Sequence, residues 1–167
     1  YDLRRMIELV RCLHRLHRLP GYREWVEPHL PESARYDPGH ESVMMGYDFH
    51  ITPEGPRLIE VNTNAGGLFL AWQSHHGETT PRIGQRPVRN LLHTFFQEMV
   101  LFSQGALDKP RQLVIMDEEP EKQFLYPEMQ VLTTLFNDLG VTSDVVDPCQ
   151  LEMSEEGIYA ASASASP

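Results

Sequence analysis

Residues 112–148 read QLVIMDEEPEKQFLYPEMQVLTTLFNDLGVTSDVVDP, and their alternation of pattern decides the fold class. The run 112–116 is apolar, short and followed by acidic residues and Pro120. That combination predicts a buried strand, since a helix needs a longer run. Leu125, Met129, Leu132, Leu135, Phe136 and Leu139 then recur at helical spacing over 124–139, and Gly140 closes the helix. Residues 141–146 form a second β-rich run, ended by Asp147-Pro148. Strand, helix and strand at this spacing predict a βαβ unit with parallel strands, hence an α/β class. Ligand sites of such units lie at the carboxyl ends of the strands, where Asp117, Glu118, Glu119 and Glu121 stand. An acidic stretch that favours a helix N-terminus accounts for the same residues equally well.

Working outward, residues 106–111 read as a connector and 88–104 as a helix carrying Val88, Leu91, Leu92, Phe95, Phe96, Met99 and Val100, with Gly105 as its C-cap. The polar stretch 73–87 predicts a mobile loop beside a ligand, anchored at Trp72. His75 and His76 within it are adjacent, and neighbours on a regular element diverge, which argues against a chelate. At the other end, residues 2–18 predict an amphipathic helix stopped by Pro20 and Gly21, and 22–26 a short second one. His14 and His17 lie three apart on the first helix, with no carboxylate or Cys cluster to complete a metal site. Segment 27–42, rich in Pro, Ser, Asp and Gly, reads as loop.

The chemistry concentrates in residues 45–67, MGYDFHITPEGPRLIEVNTNAGG. Two β-rich runs flank the turn Thr52-Pro53-Glu54-Gly55-Pro56, which predicts a hairpin. Closure about Glu54 sets Phe49 against Ile59, Asp48 against Glu60 and Gly46 against Asn62. Because side chains alternate, Asp48, Glu60 and Asn62 share one face. Tyr47, Phe49, Ile51, Ile59 and Val61 share the other, read as core, and Gly46 leaves open space beside Asn62. Two carboxylates and an amide oxygen suit a hard divalent cation, and the reading is a Mg²⁺ site. A solvent-facing strand shows the same alternation. Yet Asp and Asn are poor strand residues, and opposed like charges destabilise a ladder unless a cation offsets them. Thr63, Asn64, Ala65, Gly66 and Gly67 follow, small or hydrogen-bonding residues that let a ligand approach the backbone.

The 167 residues carry a formal charge of −10, which argues against nucleic acid or an anionic membrane as partner. Arg4, Arg5, Arg11, Arg15, Arg18 and Arg23 nevertheless make the first segment basic, a pattern typical of a solvated helix face. Cys12 and Cys149 show no paired spacing, which suits a reduced, cytoplasmic chain. No apolar run approaches the ~20 residues of a membrane span. The chain starts without Met and ends in Ala-Ser repeats at 160–167, so it reads as a fragment with a low-complexity tail. The expected division is 1–105, helices plus the metal-site hairpin; 106–159, an incomplete substrate-type βαβ domain; and the tail.

Tyr47-Asp48-Phe49, a twelve-residue step to Glu60-Val61-Asn62 and the small-residue loop beyond resemble the circularly permuted ATP-grasp ligases, the glutathionylspermidine synthase-like family. The order of later elements, a Trp-bearing stretch, a long helix, a strand with acidic residues, a helix and Gly140-Val141, is similar to that family over most of 43–150, and most similar to its bacterial members. The resemblance implies a partial ATP-grasp fold and an ATP-dependent carboxylate–amine ligase working through an acyl phosphate. Asp48, Glu60 and Asn62 would then hold Mg²⁺ bridging the ATP phosphates, and Asn64, Gly66 and Gly67 would contact nucleotide or substrate. Small carboxylate and amine substrates are the implied partners, with self-association through an open sheet edge a further expectation.

Departures are equally specific. The synthase-type members commonly place an Arg two residues before the metal-binding Asp, and that place is Gly46. Their loop after the Asn commonly continues Ala-Asp, where this chain has Thr63-Asn64 and then Ala65-Gly66-Gly67. The family's ATP-clamping strands and lysines lie downstream of these residues, so the chain alone is expected to be inactive. Two other readings compete: a non-catalytic binding or regulatory module derived from the same fold, and a metal-dependent hydrolase using the carboxylates with His50 or His75.

Overall fold

The computed structural model describes residues 2–39, 41–63, 65–77, 81–155 and 157–160, with His76 and Ala160 described by backbone alone. The chain is a mixed α/β protein divided into two compact units, Tyr1–Ala65 and Gly66–Pro167.

The first unit begins with α1 (Asp2–Leu16) and α2 (Pro20–Val26), the latter started by its own proline. Short 3₁₀ turns at Glu27–His29 and Glu32–Arg35 interrupt the expected loop. An antiparallel hairpin of β1 (Gly46–Thr52) and β2 (Gly55–Asn62) follows, with α1 against both strands. Its turn holds only Pro53 and Glu54, one residue tighter than a closure about Glu54. Thr52 Oγ1 donates to the Gly55 carbonyl at 2.9 Å and accepts from the Glu54 N–H at 3.3 Å. Gly55 has φ +117°, a region L side chains avoid, and a Cβ there would lie 2.2 Å from Arg5 Nη1. That guanidinium reaches over from α1 to donate to the Glu54 carbonyl at 2.8 Å. The turn therefore requires glycine for its dihedral, and a side chain there would also displace the arginine above it.

The second unit runs through α3 (Leu68–His76), α4 (Arg86–Phe102), β3 (Gln112–Met116), α5 (Tyr126–Asp138), β4 (Thr142–Val146) and a small hairpin of β5 (Leu151–Ser154) and β6 (Gly157–Ala160). Strands β3 and β4 pair in parallel from Gln112↔Thr142 to Met116↔Val146, so the βαβ unit forms, but β3 is not the buried strand expected: Gln112, Val114 and Met116 are exposed and Leu113 and Ile115 only half-buried. Its core collects Val88, Leu91 and Leu92 from α4, Met129, Leu132 and Phe136 from α5, and Val141 and Val146 around β4. Phe95 meets Phe136 edge-to-face with ring centroids 5.0 Å apart. This contact ties α4 to the βαβ unit, which is why the units divide after Ala65 while the connector at 106–111 lies inside the second.

Helix α5 ends in a Schellman motif. The Val141 N–H donates to the Phe136 carbonyl at 3.0 Å and Gly140 N–H to Asn137 at 2.9 Å, with Gly140 at φ +71°. The same motif ends α4, but there Gln104 at φ +52° takes the left-handed position and Gly105 stands one residue beyond it. Helix α4 also starts two residues earlier than its apolar pattern, because Pro87 fits a first helical turn. The stretch 73–87, expected to be loop, belongs to α3 as far as His76; Glu78, Thr79 and Thr80 lie outside the described residues.

Candidate functional site

Each candidate cluster is built within one unit. On the hairpin, β1 and β2 pair Gly46↔Asn62, Tyr47↔Val61 and Asp48↔Glu60, the register the metal reading requires. The next pair is Phe49↔Leu58, not Phe49↔Ile59. A β-bulge at Ile59 absorbs one residue and cancels the shorter turn, so the outer pairs come out as expected while the inner ones slip. The bulge also redistributes the apolar residues. Ile59 is 66 % exposed, and Ile51 and Val61 are exposed too, so only Tyr47, Phe49 and Leu58 tuck partly inward. The expectation that Ile51, Ile59 and Val61 are core is therefore corrected: no side chain among the described residues of this unit is fully buried.

The pairing puts Asp48, Glu60 and Asn62 on one face. Asp48 and Glu60 are exposed and Asn62 is half-buried. Among the described residues none of the three makes a side-chain hydrogen bond or ion pair, so their oxygens are available to a ligand. The open space expected beside Gly46 is filled. A Cβ there would meet Ala65 Cβ at 3.0 Å and Asn62 Cβ at 3.6 Å, so Gly46 exists to let the chain after β2 pass close. That chain is pinned by Ala65 N–H donating to Met44 O at 3.2 Å and by Ser42 Oγ donating to Thr63 O. Asn64 lies outside the described residues. Among those residues, no group of three or more His, Cys, Asp or Glu side chains could hold a metal by itself.

Gly66 and Gly67 belong to the second unit and do something the sequence reading did not anticipate. Gly67, at φ +94°, is the N-cap of α3 and has no side chain to satisfy the helix's first amides. Glu128 on α5 satisfies them. Its Oε1 accepts from Gly67 N–H at 2.7 Å, and its Oε2 accepts from Phe69 N–H at 2.8 Å and Leu70 N–H at 3.2 Å. Glu128 is 4 % exposed, a buried carboxylate held at the positive end of a helix. Gly66 gives it room, since a Cβ there would sit 2.6 Å from Leu125 Cδ1 and 3.8 Å from Glu128 Oε1. The amides that a phosphate would use at this helix start are thus taken by an internal anion. Sequence held one clue. Glu128 falls on the apolar stripe of Leu125, Met129 and Leu132, where a solvated carboxylate does not belong.

The acidic run after β3 is absorbed into a turn at the carboxyl ends of the parallel strands. Asp117 Oδ1 accepts from Glu118 N–H at 2.8 Å, and Asp147 Oδ2, from the end of β4, accepts from Glu119 N–H at 2.8 Å. Glu119 itself adopts φ +44° and pairs with Lys122. Asp147 Oδ1 also accepts from Cys149 N–H at 2.8 Å. The hydrogen bond with the Cys149 side chain, then those from the Cys149 and Glu119 amides, holds the Asp147 carboxyl below its ordinary range. The same carboxylate pushes the Cys149 thiol up, away from nucleophilic thiolate. These residues close a loop, and they are not in the first turn of α5 as the helix-terminus alternative supposed.

Both cysteines are free and exposed, and no helix among the described residues is long and apolar enough to cross a membrane. Comparison with protein-family models, with curated proteins and with solved structures found no match.

Proposed function

We propose that the chain is part of an ATP-dependent carboxylate–amine ligase of circularly permuted ATP-grasp type, and that its hairpin carries the Mg²⁺ ligands Asp48, Glu60 and Asn62. The observation that supports this reading is the cross-strand pairing of Asp48 with Glu60, both exposed and without a protein partner among the described residues. Two carboxylates opposed on a ladder repel one another, an arrangement a divalent cation turns to advantage. Mg²⁺ is commonly bound by one or two carboxylates, with waters and substrate phosphates completing its octahedron, and the donor set on the hairpin fits that pattern. When bound, the ion would offset phosphate charge during phosphoryl transfer. The residues of this chain would orient it: Asp48 and Glu60 by charge, and Asn62, at the strand end opposite Gly46, by its amide oxygen.

The glycines do not join this role. Gly66 and Gly67 serve the packing of α3 on α5, and their engagement with Glu128 favours the second reading, a non-catalytic module that keeps the fold without a phosphate loop.

Paramagnetic Mn²⁺ in place of Mg²⁺ tests the metal site. In ¹H–¹⁵N spectra of the chain, Mn²⁺ should broaden amides of residues 47–49 and 59–62 first, and Asp48→Asn and Glu60→Gln should each abolish that effect. Broadening elsewhere, or broadening that survives both substitutions, removes these residues from the proposed role.

A further inference from the structure

A cleft of about 580 Å³ runs along one flank of α5 in the second unit, a volume typical of small-molecule sites. Val131 and Leu135, one turn apart on α5, line it together with Pro81 and Ile83. Arg82 and Asp138 bring opposite charges to the same cleft, yet they do not pair with each other. Among the described residues, neither side chain makes any ion pair or hydrogen bond.

The backbone at Arg82 is nonetheless fixed. Its N–H donates to Gln85 Oε1 at 2.8 Å, and its carbonyl accepts from Gln85 N–H at 2.9 Å. Residue 82 thus stands in the turn that leads into α4, and Arg82 lines the cleft. Asp138 is the last residue of α5. The rest of the lining is largely apolar, and a planar guanidinium is suited to holding a carboxylate by two parallel bonds.

We infer that this cleft binds a small zwitterion with an apolar body, a dipeptide of apolar residues being the simplest example, its carboxylate on Arg82 and its ammonium on Asp138. The inference is independent of the proposed metal site, because no hairpin residue takes part in it. An anion alone would meet the Asp138 carboxylate, and a cation alone the Arg82 guanidinium. Only a ligand carrying both charges satisfies both groups.

Leucyl-leucine, its N-acetyl derivative and its C-terminal amide are the probes, titrated into the full ¹⁵N-labelled chain. Leucyl-leucine should saturably shift the amides of residues 82–83 and 131–138. Each blocked form should bind about tenfold more weakly, equivalent to about 1.4 kcal/mol. Arg82→Ala should erase the preference for a free carboxylate while keeping that for a free amine, and Asp138→Asn should do the reverse. Both side chains are exposed, and the spectra themselves report that the variants fold. Equal response to all three probes, absence of saturable shifts at these amides, or preferences that survive both substitutions would overturn the assignment.

Discussion

Replacing Glu128 should unfold the second unit more readily than any substitution on its surface. The carboxylate accepts three backbone N–H bonds, from Gly67, Phe69 and Leu70, and the Phe69 donor is buried. A hydrogen bond to a charged acceptor contributes about 1.5–3 kcal/mol net, and a buried donor left unpaired costs about 1–3 kcal/mol. The three bonds share one carboxylate, so their losses do not add; Glu128→Ala should cost about 3–5 kcal/mol, as for breaking other buried charge interactions. Glu128→Gln keeps one oxygen but turns an amide donor toward a backbone donor, and should cost about 2–3 kcal/mol. Against a typical domain stability of about 5–15 kcal/mol, either loss is large. Urea unfolding of the full chain, followed by circular dichroism, measures both. Hydrogen exchange at the Phe69 amide should accelerate in parallel. A Glu128→Gln chain within about 0.5 kcal/mol of the parent would refute the reasoning, because that is the scatter of ordinary surface substitutions.

Two further outcomes follow from the environment of β4. Asp147 should titrate below the usual carboxylate range, and Cys149→Ala should raise its midpoint by removing the largest cause of the depression, as read from side-chain carbon shifts. A depressed folded-state pKa contributes stability above the unfolded value that is lost as pH falls through the folded one. The Asp147 contribution should therefore persist at neutral pH and vanish only in acid. Ser143→Ala should be neutral or stabilising, within about 1 kcal/mol, because the buried Ser143 hydroxyl has no hydrogen-bond partner among the described residues. Its backbone N–H donates to Asn137 Oδ1 at 3.0 Å and its carbonyl accepts from Asn137 Nδ2 at 3.1 Å, bonds the substitution leaves intact.

The βαβ unit was legible because its signals are local: a short run with four apolar residues, Leu113 to Met116, a helical stripe and a glycine at the helix end. Its parallel pairing follows from those alone. The Asp48–Glu60 register also came out of the sequence, but through two offsetting departures, a tighter turn and a bulge at Ile59, neither visible in the alternation. Helix α3 was missed because its start has no Ser, Thr, Asp or Asn cap; the group that replaces one is 61 residues downstream. The β5–β6 hairpin was missed because its strands are four residues each, and Met153 and Ile158 are exposed, too little periodicity to separate from loop. At the candidate site, the oxygen-bearing residues were readable from strand alternation. The packing that fills the space beside Gly46 was not, since it depends on where Ala65 passes.

The distant cap on α3 imposes an order of assembly. Nine residues are too few for a helix to persist in water by itself. During synthesis the segment 68–76 leaves the ribosome well before residue 128 exists, and at about 5–20 residues per second the gap lasts seconds. Until α5 arrives, this stretch has apolar side chains and unsatisfied amides together, a condition that invites wrong contacts. Only the closing of that one long loop gives the start of α3 the acceptor it has in the folded chain.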